Sequence, residues 1–140
     1  MRLALAIAAL STLACASSAM AETWKPYSAV TPKNLQWSYD ADYSYLDKQS
    51  GRVVVMQAIG KVGATPRMGP SAPGAADGVG SVLALDCKAG DMILVAGYAP
   101  SKPLDIPANW RSTAPKKISD DDDKTLQAAV CSNVASLPVK

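Results

Sequence analysis

Two cysteines, Cys87 and Cys131, constrain the fold of this chain more than any other feature of its sequence. The third cysteine, Cys15, lies in an N-terminal segment that we expect to be removed, which leaves an even pair. In an exported protein such a pair is predicted to form a disulfide. The crosslink closes a loop of about 44 residues and contributes roughly 4 kcal/mol in the chain-entropy model. A reactive-thiol or metal-binding pair is disfavoured because the chain has neither a CxxC spacing nor a histidine.

The N-terminus has the features of a secretory signal peptide. Arg2 supplies a positive charge, residues 3–16 are almost entirely apolar, and the Ala-Met-Ala sequence at 19–21 offers a small-x-small cleavage site. We therefore predict cleavage after Ala21 and export to the periplasm, the cell surface or the medium. An uncleaved anchor is disfavoured because a bilayer crossing needs roughly 20 apolar residues. A lipoprotein site at Cys15 is disfavoured because that residue lies inside the apolar run.

The composition excludes several classes of function. Removing residues 1–21 leaves 119 residues, enough for one domain with a modest core, and 13 basic against 12 acidic side chains. No basic cluster stands out, so neither nucleic acid nor an anionic membrane is indicated as a partner. The absence of histidine excludes Ser-His-Asp and Cys-His catalysis and imidazole metal ligands. We predict a non-enzymatic protein without a cofactor or a metal.

The hydrophobic patterns predict an α+β fold: a mainly antiparallel β-sheet of about five to six strands with one C-terminal α-helix, which the disulfide ties to a strand. Residues 22–35 are expected to form an irregular lead-in, and residues 36–140 a single β-rich domain. A long mobile loop is expected at residues 60–80, which are rich in glycine, proline and alanine. The predicted strands are residues 36–46, 52–59, 81–88 and 92–98.

Short motifs follow one another in order along residues 37–131. They are a tryptophan before the hexapeptide YLDKQS at 45–50, the strands RVVVMQAI, VLALDC and ILVAGY, Trp110 with Pro115 after it, and a helix that ends in LQAAVC. Their order and spacing resemble the surface-adhesin E-like family of small exported bacterial domains. The resemblance implies a six-stranded or similar antiparallel sheet with a C-terminal helix fixed by the disulfide. It also implies binding to host or extracellular-matrix proteins.

Two classes of function fit the sequence. The first is an exported binding protein of the adhesin E-like type, whose partner is an extracellular or envelope protein. The second is a periplasmic structural or stress-related domain, or an inhibitor of an envelope enzyme. Accessibility to protease on intact cells separates them, because only a surface protein is cleaved there.

The three tryptophans are the candidate partner-binding residues. Tryptophan is enriched at the centres of protein interfaces, so a partner is expected to contact Trp24, Trp37 and Trp110. The alternative is that tryptophan and tyrosine supply the large core side chains in a chain without phenylalanine. The tyrosines between residues 39 and 45 alternate with polar residues, as on one face of a strand or hairpin.

Two groups of acidic residues are candidate sites. Asp40, Asp42 and Asp47 are close enough in sequence for a carboxylate pair, although solvated edge and turn aspartates are the simpler interpretation. The run DDDDK at residues 120–124 precedes the predicted helix, so Ser119, Asp120 and Asp121 are expected to form its N-cap region. Weak cation binding and an engineered insertion are the alternatives, the second because the run matches an enteropeptidase recognition sequence.

Overall fold

Six antiparallel strands form one sheet, in the order in which they occur in the sequence. The computed structural model describes residues 23–63, 79–98 and 104–140. The strands are β1 (Trp24–Pro26), β2 (Leu35–Leu46), β3 (Val53–Lys61), β4 (Gly80–Asp86), β5 (Asp91–Tyr98) and β6 (Lys116–Lys117). One α-helix, α1 (Asp121–Cys131), follows β6, and short 3₁₀ turns lie at Trp110–Ser112 and Val134–Ser136. The predicted fold class is confirmed.

Tight turns make the sequential strand order possible. The β2–β3 and β4–β5 connections contain Gly51 and Gly90, which have φ angles of +70° and +65°. This left-handed conformation is open to glycine at little steric cost, whereas most other residues avoid it. Short turns between consecutive strands favour antiparallel neighbours, and the sheet therefore follows the chain order.

The central strand β3 is buried on both faces of the sheet. Its apolar run supplies alternate residues to two hydrophobic clusters, as expected for a strand covered on both sides. The helix-face cluster contains Val53, Val55, Leu83, Leu85, Leu126 and Val130. The opposite-face cluster contains Val54, Met56, Ala58, Val82, Ala84, Ile93, Val95, Ala96 and Trp110. Since Leu126 and Val130 are the buried residues of α1, the helix packs through them onto the first of these clusters.

A disulfide joins Cys87, directly after β4, to Cys131 at the end of α1, with their Cα atoms 5.7 Å apart. This confirms the predicted pairing. Both cysteines lie at the margin of the helix-face cluster. The crosslink therefore holds the C-terminal end of α1 against the sheet.

The prediction of an irregular lead-in at residues 22–35 is wrong in part. Residues Trp24–Pro26 form β1, which pairs with Ser38–Asp40 of β2. Tyr27 continues this contact, since its backbone N–H donates to the carbonyl of Trp37. A proline and a lysine made the segment look irregular, but both are tolerated on an edge strand, where one side of the backbone needs no partner.

The prediction that the aromatic residues of β2 share one face is also wrong. Between Asp40 and Tyr45, β2 has four residues where β3 has only Val55, so the register shifts. An odd number of extra residues reverses which side chains face the helix. Tyr39 consequently packs on the helix-face cluster, whereas Tyr43 and Tyr45 pack on the opposite-face cluster.

Two of the expected segments lie largely outside the described residues. The predicted signal peptide, residues 1–21, lies entirely outside the residues that the structure describes. Of the predicted loop at residues 60–80, β3 takes in the first two residues and β4 begins at Gly80. Residues 64–78 are outside the described part of the chain.

Candidate binding sites

Asp47, in the turn between β2 and β3, is a buried carboxylate, with 1% of its surface exposed. Its Oδ2 accepts hydrogen bonds from the Ser50 backbone N–H at 2.8 Å and from the Ser50 hydroxyl. The Asp47 backbone N–H donates to the Arg52 carbonyl, and its carbonyl accepts from the Gly51 N–H, which closes the turn. Asp47 and Ser50, which belong to the hexapeptide YLDKQS, therefore form this turn.

Arg111, far along the chain, completes the environment of Asp47. Its Nε donates to Oδ2 at 3.0 Å and its Nη2 donates to Oδ1, a two-point contact between residues 64 apart in sequence. The Arg111 guanidinium also lies over the Trp110 ring, 4.6 Å from the ring centre. The hydrogen bonds from Arg111 hold the pKa of Asp47 far below its usual range, with those from Ser50 adding to the effect, although burial opposes them. The pair therefore fastens the segment after β5 to the β2–β3 turn.

The three tryptophans do not form one exposed surface. Trp110 is 5% exposed and belongs to the opposite-face cluster, so the expectation that it contacts a partner is wrong. Trp24 is half-buried and packs against the same cluster from β1. Trp37 is half-buried in β2, opposite Ile59. In this chain, which contains no phenylalanine, tryptophan supplies large side chains to the core.

Two of the three aspartates near residue 40, Asp40 and Asp47, are buried. Asp40 is buried, and its Oδ1 accepts from the backbone N–H groups of Thr23 and Asp42 at 3.2 and 3.0 Å. Asp42 is exposed and accepts from the Thr23 hydroxyl at 2.6 Å. Asp40 and Asp42 therefore share Thr23 as a donor, whereas Asp47 is held apart from them by Ser50 and Arg111. Burial of Asp40 and Asp47 overturns the solvated interpretation for these two.

The acidic run begins α1, as predicted. Asp120 occupies the N-cap position in an extended conformation, but no side chain makes a capping hydrogen bond there. Asp121, Asp122 and Asp123 fill the first turn, where negative charge interacts favourably with the helix dipole. Ser119 precedes the cap, and Lys124 Nζ donates to Asp121 Oδ1 at 3.1 Å. No group of three or more His, Cys, Asp or Glu side chains in the described ranges could hold a metal ion.

The outer edge of β5 is open in the part of the chain that the structure describes. Strand β6 pairs only with Asp91 and Met92, so residues 93–98 have no strand on that side in the described part of the chain. The Ile118 N–H donates to the Gly90 carbonyl across this edge, and backbone groups two residues apart along a strand point the same way. The N–H and carbonyl of Leu94 therefore face outward, and its side chain is 60% exposed.

The other edge of the sheet is covered at both ends of β2 and in its middle. Strand β1 pairs with the middle of β2, and Thr31 exchanges hydrogen bonds with Leu35 at the start of β2. At the far end, the Leu46 N–H donates to the Pro138 carbonyl, and the Lys140 N–H donates to the Leu46 carbonyl. Unpaired strand edges accept further strands, so within the described residues β5 offers a partner a longer free edge than β2 does.

A pocket of about 300 Å³ lies between β2 and the C-terminal end of α1. We call it the helix-end pocket. Its sheet side includes Lys25, Tyr39 and Ser44, and its helix side includes Val130 and Asn133. The register shift of β2 between Asp40 and Tyr45 provides this geometry, because it places Ser44 on the same face of the sheet as Tyr39. The Ser44 hydroxyl donates to the Asp40 carbonyl at 2.8 Å and so supports the irregular backbone.

Sequence reasoning missed both the open edge and the pocket. The only local signal for the edge was the brevity of the KK segment after Pro115, which left no room for a full sixth strand. The pocket had no local signal, because it depends on a register shift and on the position of the last residues of the chain.

Comparison with known proteins returns no relatives: no family model, no curated protein and no solved structure matches the chain significantly. The adhesin E-like resemblance thus stays a prediction. No helix in the described part of the chain is long and apolar enough to cross a membrane.

The stability contributed by Asp47 is expected to depend on pH. Because its pKa is lowered in the folded state, the contribution is present above the unfolded-state pKa of about 3.9 and is lost as pH falls further. We expect the difference in unfolding free energy between wild type and Asp47→Asn to shrink between pH 6 and pH 3. Urea unfolding at several pH values measures it.

Asp123 provides a control for the Asp47 prediction, because its contribution to stability should change with pH in the opposite direction. Burial raises the pKa of Asp123, and repulsion from Asp120 and Asp122 adds to this shift. Its ionised form therefore opposes folding at neutral pH, an effect that protonation relieves. Asp123→Asn should stabilise the protein more at pH 6 than at pH 3. An Asp47→Asn effect that is equal at both pH values would contradict the assignment.

Proposed function

We propose that this protein is an exported, non-enzymatic binding domain of the adhesin E-like type, and that it recognises matrix proteins through the outer edge of β5. One observation carries the proposal: residues 93–98 present an edge without a strand partner among the described residues, with Leu94 exposed near its start. An extended partner segment that adds to such an edge gains main-chain hydrogen bonds and side-chain contacts.

The charges beside the edge favour a neutral or acidic partner strand. Lys116 and Lys117 are both exposed in β6, next to the point where the open edge begins. Lys117 Nζ donates to the Ala89 carbonyl, whereas Lys116 makes no ion pair within the described residues. An acidic side chain on the partner strand would meet Lys116 and improve association through electrostatic attraction.

The rest of the domain is suited to holding that edge in place. The Cys87–Cys131 disulfide fixes α1 on one face, and the Asp47–Arg111 pair fixes the segment that leads from Trp110 to β6. A rigid sheet reduces the ordering cost that a partner must offset on binding. This supports recognition by a preformed edge rather than by a segment that folds on binding.

Leu94→Lys is expected to weaken partner binding about tenfold, because charge at an open edge disfavours strand addition and the leucine contact is lost. The purified protein is tested by surface plasmon resonance against immobilised fibronectin, laminin and collagen. Val139→Lys is the matched control, since Val139 is also 60% exposed but lies outside β5.

Two outcomes would overturn the proposal. Folded wild-type protein that binds none of the three matrix proteins removes the matrix-binding function. If binding is present but Leu94→Lys and Val139→Lys affect it equally, the β5 edge is not the contact surface.

A further inference from the structure

The helix-end pocket is a preformed feature of the fold. Its helix side includes Val130, the residue before Cys131, which the disulfide holds at a fixed distance from the sheet. Its sheet side includes Ser44, whose position is set by the register shift in β2. Irregularities of this kind often occur beside functional sites, because they re-aim side chains.

The pocket combines one cationic group with a lining that is partly polar and partly apolar. Lys25 supplies an ammonium group that makes no ion pair with any described residue, and no carboxylate side chain lies among the described lining residues. Tyr39 also lines the pocket, and its hydroxyl has no hydrogen-bond partner within the described ranges. Val130, Leu137 and Pro138 supply apolar surface.

The polar groups at the helix end of the pocket are already satisfied. The Ala129 carbonyl accepts from the Ser132 hydroxyl at 3.0 Å, and the Val130 carbonyl accepts from the Asn133 N–H at 3.4 Å. The C-terminal end of a helix carries partial negative charge and does not attract an anion. A negatively charged group in the pocket is therefore favoured only beside Lys25.

We propose that the helix-end pocket binds a small organic carboxylate, with its carboxylate at Lys25 and Tyr39 and its apolar body against Val130, Leu137 and Pro138. The volume of about 300 Å³ is at the lower end of the range for ligand sites, so the ligand is a compact acid rather than a long lipid. This site is separate from the β5 edge and does not depend on the function proposed there.

Phenylacetate is the probe, and its neutral analogue phenylacetamide is the control ligand. Two-dimensional ¹H–¹⁵N NMR titration of the purified protein should show saturable shifts at the amides of Ser44 and Asn133, with a Kd on the order of 1 mM. The amide of Leu94 should not shift, which distinguishes this site from the proposed edge contact. Phenylacetamide should bind more weakly than phenylacetate.

Variants test the charge and the cavity separately. Lys25→Gln should weaken phenylacetate binding about two- to fivefold, the range expected for an exposed ion pair, and leave phenylacetamide binding unchanged. Lys33→Gln, an exposed lysine outside the pocket, should alter neither. Ala41→Leu fills the pocket from the sheet side and should abolish binding. Ser136→Leu blocks the opposite wall without altering the sheet, so loss of binding there does not depend on the fold of β2.

Some results would overturn the proposal. They are the absence of saturable shifts in folded wild-type protein, shifts that persist in both filling variants, and equal affinity for phenylacetate and phenylacetamide.

Discussion

Replacing Cys87 and Cys131 together with alanine is expected to lower the free energy of unfolding by about 4 kcal/mol. The two residues are 44 apart in sequence, so the reduced unfolded chain gains the freedom of a long loop. That loss is a large share of the roughly 5–15 kcal/mol that stabilises an ordinary domain. Urea unfolding of wild type and the double variant, followed by circular dichroism, measures the difference.

Reduction of the wild-type protein is the matched control for this result. If loss of the crosslink is the cause, reduced wild type and the double variant should unfold at nearly the same urea concentration. A double variant within about 1 kcal/mol of oxidised wild type would contradict the prediction, because the chain-entropy term alone is several times larger.

Asp47→Ala is expected to cost about 3 kcal/mol, near the lower limit for breaking a buried ion pair. The substitution leaves Arg111 without its carboxylate and removes the acceptor for both Ser50 donors. The Arg111 side chain is 33% exposed, so water compensates for part of the lost contact. Urea unfolding gives the change in free energy.

Lys124→Ala is the control for Asp47→Ala. It removes the ion pair with Asp121, in which both side chains are largely exposed, and exposed pairs contribute roughly 0.2–1 kcal/mol. A double-mutant cycle on Asp47 and Arg111 isolates their coupling. Equal effects of Asp47→Ala and Lys124→Ala would show that burial of Asp47 does not contribute as we infer.

Local patterns predicted the strands and the helix because those elements are encoded by neighbouring residues. The run RVVVMQAI predicted the buried strand β3, and the Asp run predicted the start of α1. The same local reasoning placed the β2 tyrosines on one face and the lead-in outside the sheet. Both errors arose because the shift between Asp40 and Tyr45 and the pairing of β1 depend on contacts with distant residues.

The candidate sites were far less predictable than the fold. Tryptophan content suggested a binding surface, but core packing took Trp110 into the opposite-face cluster. The open edge at Leu94 arises from the short length of β6, and the helix-end pocket arises from the meeting of β2 with the last turn of α1. Neither feature is a property of one segment.

Sequence patterns were enough to predict an antiparallel sheet, a C-terminal helix and the Cys87–Cys131 crosslink, because alternation, turn residues and an even cysteine count act locally or pairwise. The folded structure was needed to establish the strand order, the burial of Asp47 against Arg111, the register shift of β2 and the open β5 edge in the described residues. Those outcomes depend on which distant groups fill the space beside each residue, and burial then determines whether a polar group must be paired.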